Sequence, residues 1–507
     1  MSTTAMLRGP GDILPAAARR YTNKTALITA DRTLGYAELD DLAARAAAGL
    51  RAAGVRPDQV VSLYGPNSWQ WVVAYHAILR VGAVVNPVNV MLTPPEVAFI
   101  LKDCRSAAVL AAGEQLASLR AAGIETAAFA LDGSGPGGFG ALLDTPPLDH
   151  SPDIDPGGMC TIGYTSGTTG HPKGAMQSQR AVLYNCALTA TMHGRTDRDV
   201  VVTALPAPHV YGNVVINGTF LAGGTVVLMQ RFSPGEALGL IGRHAATMFE
   251  GVPAMYAMML AAPELAGAEL ASLRVCTVGG QTIPAVTIDA WQRRSGVPLL
   301  ELWGMTELSG LGTTHAIYAP NLPGSIGVAL PGVEVRVADL ADVTRDAPCG
   351  EPGELMVRGP IVMMGYFGNE AETRAVIETD GWLHTGDIAY ADSTGHFFIV
   401  DRRKDLIITA GYNVYPAEIE RVLAGHPAVA LVAVGPLPDP VKGEIACAYV
   451  VRREGAEVTE AELIDFSRDQ LAAYKRPRRV VFVESLPATS SGKIMRRKLA
   501  ESAGQAG

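Results

Sequence analysis

The sequence predicts an α/β protein: a large N-terminal domain of doubly wound sheets with a small antiparallel β subdomain, followed by a smaller, mobile α+β C-terminal domain. Three observations lead there. Apolar strand-like runs alternate with helical patterns as far as residue 325, as in parallel sheets covered by helices. Beyond that point short alternating strands separated by Gly/Pro turns take over. The chain has 507 residues, 48% of them hydrophobic, which is enough for a large core and too many for a single one. The expected division is 1–400 and 401–507, with a hinge near Lys404.

The elements follow in order. Leu39, Leu42, Ala46, Leu50 and Ala53 share one helical face, so 36–53 reads as a helix, capped by Gly54. Strand-like apolar runs follow at 60–64, 107–112, 200–205, 225–229, 274–278 and 299–303. Residues 132–158 are dense in Gly, Pro and Asp and read as a surface connection rather than an element. Short strands are expected at 333–337 and 354–357, divided by the turn APCGEPG. Residues 396–423 then read as two strands, a Gly turn and a helix opened by Pro416.

Composition excludes several function classes. Against 41 Lys plus Arg stand 50 Asp plus Glu, a net charge of -9 without a sustained basic stripe, so no nucleic-acid partner is expected. Apolar runs such as 72–85, with its His76 and Arg80, break well before the ~20 residues of a bilayer span, so no transmembrane segment is expected. The first twenty residues hold no apolar stretch followed by a cleavage site, which makes the cytoplasm the default location. The six cysteines form no CxxC pair and read as buried thiols rather than a zinc or redox site.

The most informative stretch is YTSGTTGHPKG at 164–174. It packs three glycines, four small hydroxyls and one lysine into eleven residues. Glycines let backbone N–H groups approach an anion, hydroxyls add donors, and Lys173 supplies a mobile positive charge for phosphate oxygens. It is not a Walker A loop, because Pro172 precedes the lysine and Gly174 follows it. In ELWGMTE, an apolar strand ends in a turn that presents Thr306 and Glu307, a hydroxyl for phosphate and a carboxylate for Mg²⁺. In HTGD, Asp387 can accept both hydroxyl protons of a ribose, and Arg402 offers a planar fork of donors to ribose or phosphate.

These motifs, with Asp401-Arg-Arg-Lys-Asp405, Gly411-Tyr-Asn-Val-Tyr-Pro416 and Ser491-Gly-Lys493, resemble the signature set of the acyl-adenylate-forming superfamily. That superfamily includes acyl-CoA synthetases, firefly-type luciferases and peptide-synthetase adenylation domains, and the resemblance spans essentially the whole chain. It implies an ATP/AMP site formed by Thr165, Ser166, Gly167, Thr168, Thr169, Gly170, Lys173, Gly280, Gln281, Trp303, Gly304, Thr306, Asp387 and Arg402. Trp303 would stack on adenine, and Thr168 and Glu307 would hold the metal. It assigns catalysis to Lys493, which would bridge the acid and the α-phosphate, with Thr306, Glu307 and His209. Lys404 falls at the hinge, and Gly411 and Tyr412 at the path of the CoA pantetheine.

The same resemblance places the acid pocket at His209, Tyr211, Gly212, Asn213, Gly279 and Met305, with Val214, Val215 and Asn217 beside them. No Asp stands where peptide-synthetase relatives hold an α-amino group, which disfavours an amino-acid substrate. The expected function is therefore an AMP-forming acyl-CoA synthetase acting on an apolar carboxylic acid, a medium- or long-chain fatty acid first. The alternatives are an aryl or other bulky-acid CoA ligase, an acyl-AMP ligase loading a separate carrier protein, and a catalytically silent acyl- or nucleotide-binding relative. ATP, Mg²⁺ and CoA are the implied cofactors and co-substrates, and a homodimer is compatible with this reading.

Overall fold

The computed structural model describes residues 6–124, 127–133, 135, 137–148, 152–165, 172–409, 412–468, 470–487 and 494–499. The N-terminal part is organised by two large, mainly parallel sheets. In the first, five strands run parallel in the order Met159–Thr165, Val84–Val88, Val60–Tyr64, Ala108–Ala111 and Ala127–Ala130. Two antiparallel strands, Lys173–Ser178 and Gly365–Tyr366, extend its Met159–Thr165 edge. In the second sheet, six parallel strands run in the order Leu299–Met305, Val275–Val278, Met248–Gly251, Val200–Thr203, Thr225–Leu228 and Thr25–Ile28. Five of them, Val60–Tyr64, Ala108–Ala111, Thr225–Leu228, Met248–Gly251 and Val275–Val278, are buried at every residue, which is why such strands read as continuous apolar runs rather than alternating ones.

Helices Tyr36–Ala52 and Trp69–Val81 pack together in the large core. The second is buried along nearly its whole surface, as an all-round apolar helix must be. Ser68 caps it by accepting the Trp71 N–H at 3.1 Å, and Gly82 ends it at φ +81. Strands Glu334–Ala338, Gly353–Arg358, Leu383–Ala391 and Phe397–Arg402 form the antiparallel subdomain sheet. The C-terminal part has its own five-stranded sheet and its own hydrophobic cluster, with helix Pro416–Ala424 packed on strand Val429–Asp439.

Three expectations need correction. Within 132–158, Phe139–Leu143 is a turn of helix whose Phe139 and Leu142 are buried against helix Tyr36–Ala52, so this connection contributes to the core. The Gly/Pro density around it concealed a five-residue element too short for a periodic signal. Region 396–423 contains a third strand, Tyr412–Val414, paired antiparallel with Ile407–Thr409. Cys349 is exposed in its turn, and the other five thiols are buried as expected. Strand Phe397–Arg402 ends the subdomain sheet at Arg402.

Candidate active site

The two large sheets and the subdomain deliver their chemistry at strand ends. Thr165 ends one strand and Lys173 begins its antiparallel neighbour directly opposite. Ser166, Gly167, Thr168, Thr169 and Gly170 stand between them in sequence and lie outside the described residues. Strand Leu299–Met305 ends in a single turn, Thr306–Leu308, which returns through Ser309 at φ +57 into strand Gly310–Thr314. Gln177 pins this turn by donating to the Thr306 carbonyl at 2.9 Å. A Cβ on Gly163 would lie 2.6 Å from Thr306 Cγ2, so only glycine lets the turn approach the loop-bearing strand.

Glu307 is buried, and its Oε1 accepts the Tyr366 hydroxyl at 2.9 Å and the Thr165 hydroxyl at 3.5 Å. Among the described residues no group of three His, Cys, Asp or Glu side chains could enclose a metal. A single carboxylate such as Glu307 fits Mg²⁺, which binds through one or two carboxylates, water and nucleotide phosphates rather than in an all-protein cage. Lys173 Nζ is ion-paired with Glu372 Oε2 at 2.6 Å.

Asp387 and Arg402 face each other across strands Leu383–Ala391 and Phe397–Arg402, with Arg402 Nε 3.0 Å from Asp387 Oδ1. Trp303 donates its indole N–H to Asp387 Oδ2 at 2.8 Å. The indole is mostly buried, and a Cβ on Gly312 would lie 2.6 Å from its Cζ3, so glycine there admits the ring. Residues from three distant motifs thus meet around one carboxylate, with Trp303 and Asp387 84 positions apart. Gly304 sits against Gly310, where a side chain has no room, because its Cβ would lie 2.1 Å from the Gly310 carbonyl. Gly279 is closed in by Leu302, Gly280 turns at φ +92, and Gln281 is exposed.

On the acid side, His209 is the N-cap of helix Val210–Ala222, its Nδ1 accepting the Tyr211 N–H at 3.3 Å. Gly212 packs so closely on Pro206 that a Cβ would lie 2.2 Å from its carbonyl oxygen. Tyr211 is buried with its hydroxyl 2.7 Å from Thr277 Oγ1, and Thr277 donates to Glu250 Oε2 at 2.9 Å. A carboxylate only accepts, so the Thr277 proton goes to Glu250 and Tyr211 donates to Thr277. Glu250 in turn pairs with Arg195, both side chains essentially unexposed. Asn213 takes a different direction: its Oδ1 accepts from Tyr75 of helix Trp69–Val81 at 3.3 Å and from Asn217 at 3.2 Å. The structure therefore does not join Asn213 to the Tyr211 partners. Met305 is half-buried at the end of its strand, beside Thr306.

The segment expected to act as a hinge forms the turn Arg403–Asp405. Arg403 Nη1 lies 3.0 Å from buried Glu354, which also faces His384. The Lys404 side chain, Gly411 and Lys493 lie outside the described residues. Tyr412 is exposed and stacks on Tyr474 at 4.8 Å. Arg496 is inserted among Glu420, the Val434 carbonyl and Asp405. Sequence reasoning misses Arg195, Glu250, Thr277, Gly163 and Tyr366 because their partners are distant in the chain, and nothing local marks them.

Two buried carboxyls near these motifs give a pH prediction. Burial pushes Glu301 up to about 7, against the Gly324 N–H that favours its charge, and pushes Asp401 up to about 6 despite Arg496. Both folded values exceed the ordinary 4.5 and 3.8, so the folded chain holds protons that the unfolded chain releases. Stability from these groups is present at low pH and is lost as pH rises through about 6 to 7. Glu301→Gln should remove on the order of 2–3 kcal/mol of the decline between about pH 5 and pH 8. Unfolding midpoints at the two pH values check this, and an identical pH response in the variant refutes it.

The AMP-binding enzyme family matches residues 14–367, and the AMP-binding enzyme C-terminal domain matches residues 418–493. A feruloyl-CoA synthase from Amycolatopsis sp is 38% identical over 94% of this chain and 96% of its own. A long-chain-fatty-acid–CoA ligase from Bacillus subtilis is 32% identical over 96% of this chain and 93% of its own. The crystal structure of an anthranilate CoA ligase in complex with anthranoyl-AMP superposes with a TM-score of 0.91 at 27% identity, covering 98% of each chain.

Proposed function

We propose, from the premise that this chain belongs to the AMP-binding enzyme family, that it joins an aromatic or fused-ring carboxylic acid to CoA through an acyl-adenylate. It is an acid–thiol ligase of the AMP-forming type. In the first step the acid carboxylate attacks the α-phosphorus of ATP and pyrophosphate leaves. In the second the CoA thiol attacks the acyl carbonyl and AMP leaves.

The observation that carries the adenylation reading is the convergence of Thr165, Lys173 and Glu307 at one strand edge, with Trp303, Asp387 and Arg402 around the next. Asp387 accepts the ribose hydroxyls on the lone pairs that Trp303 and Arg402 leave open, and Arg402 stays within reach as a second ribose or phosphate donor. Trp303 fixes the Asp387 carboxylate and stacks on adenine. Lys173 and the hydroxyls of the loop hold the β- and γ-phosphates. Glu307 would hold Mg²⁺, which would supply neutralisation of the phosphate charge. Lys493 supplies the positive charge that follows the α-phosphoryl group. The chain's contribution is positioning and preorganised charge rather than covalent chemistry.

The class of acid rests on the relatives rather than on Tyr211, whose hydroxyl is buried and donates to Thr277. The 38% identity to a feruloyl-CoA synthase supports an aromatic acid. A fatty acid is the second reading, favoured by the apolar run of helix Val210–Ala222 and by the similarity to the Bacillus subtilis ligase.

A panel of hydroxycinnamic, arylacetic and benzoic acids, C8 to C16 fatty acids, acetate and amino acids, assayed for pyrophosphate release with and without CoA, tests this. Ring acids should exceed acetate and amino acids in kcat/KM by at least ~10-fold, since each buried methylene contributes ~0.8 kcal/mol. Fatty acids ahead of every ring acid would replace the first reading by the second.

A further inference from the structure

Lys173 is the cation that its own motif places at the phosphate loop, yet its ammonium points to a carboxylate outside every motif. Glu372 sits in the first turn of helix Glu370–Val376, whose N-cap Asn369 accepts the Glu372 N–H at 3.1 Å. The Thr373 hydroxyl on that helix accepts the Tyr366 N–H at 2.8 Å, and Tyr366 pairs with Ala175 on the strand that Lys173 begins. Helix, strand and lysine are therefore one built unit.

Between the two carboxylates stands the Tyr366 ring. Lys173 Nζ lies over it, 5.4 Å from the centroid, and the phenol hydroxyl donates to Glu307 Oε1 at 2.9 Å. Burial, and the Glu307 charge after it, keep that phenol protonated and so able to donate. The Lys173 side chain is 13% exposed and that of Glu372 32%, so this pair is partly withdrawn from water and stronger than a surface bridge. A lysine side chain is long and flexible. Deprived of Glu372, the Lys173 ammonium has Glu307 as the next carboxylate along this chain of contacts. A lysine paired with Glu307 would compete with a divalent cation for it.

We propose that Glu372 and Tyr366 are positioning residues for nucleotide binding: Glu372 holds the Lys173 ammonium over the ring of Tyr366 and away from Glu307, whose carboxylate stays available to the metal. This rests on the adenylation reading given above. When the triphosphate arrives, Lys173 reaches its oxygens from the Glu372 side, and Tyr366 still restrains the Glu307 carboxylate.

The test is equilibrium binding, which requires no turnover. Mn²⁺ is titrated by electron paramagnetic resonance into the full chain holding α,β-methylene-ATP, which resists cleavage at the α-phosphorus. Glu372→Gln should weaken Mn²⁺ binding by about 10-fold, between the effects of exposed and buried charge pairs. Glu372→Asp should recover part of it. With α,β-methylene-ATP kept saturating, the double variant Lys173→Gln/Glu372→Gln should bind Mn²⁺ more tightly than Glu372→Gln, because the competing ammonium is gone, while its own nucleotide affinity falls with the loss of Lys173. Unchanged affinity in Glu372→Gln, or a double variant as weak as the single one, overturns the proposal while leaving the adenylation reading intact. Wild-type protein that binds no Mn²⁺ with the nucleotide overturns both. Thermal melting of each variant excludes unfolding as the cause.

Discussion

Glu307→Gln loses about 10²- to 10³-fold in single-turnover pyrophosphate release, the scale of removing one preorganised charge-stabilising group. The substitution keeps the shape of the side chain. Tyr366 and Thr165 can still donate to its amide oxygen, so the turn Thr306–Leu308 retains its contacts. Removing a charge from a site only 6% exposed also lowers the cost of burial, so the variant should be at least as stable as wild type. Thioester formation from presynthesised acyl-adenylate and CoA needs no triphosphate and should fall by no more than a few-fold. Adenylation within 10-fold of wild type would remove Glu307 from the nucleotide chemistry and leave it a buried hydrogen-bond acceptor.

Lys493→Ala should produce the same split from the other domain. Adenylation falls by about 10²-fold or more, because the ammonium that follows charge developing on the α-phosphoryl group is gone. Transfer from supplied acyl-adenylate to CoA suffers much less. Three residues on, Arg496 is anchored by Glu420 and the Val434 carbonyl, so the placement of this segment does not depend on Lys493. Folding and chemistry are thereby separable. Equal losses in the two half-reactions would reduce Lys493 to a general structural role.

Much of this protein is legible in its amino-acid sequence. The strand at Val60–Tyr64 and the helix over 36–53 appear with the expected bounds or within one residue of them, because burial on both faces makes parallel strands continuous apolar runs and because the helix repeats its apolar face every turn. The turn at Thr306 and Glu307 is equally legible, because an apolar strand that stops at a glycine-containing motif announces it locally.

What the sequence alone determined was thus the inventory: the fold class, the chemistry-bearing motifs and their order. Tertiary structure decided which of those groups touch. The Trp303 N–H on Asp387, Tyr366 between Lys173 and Glu307, Arg496 drawn inside against Glu420, and Asn213 turned to Tyr75 instead of the Tyr211 set all join residues tens to more than a hundred positions apart. Side-chain periodicity reports only which face of an element is buried. Which polar partner a buried group finds depends on how sheets and helices from distant segments stack, and a buried donor or acceptor must be paired wherever that stacking leaves it.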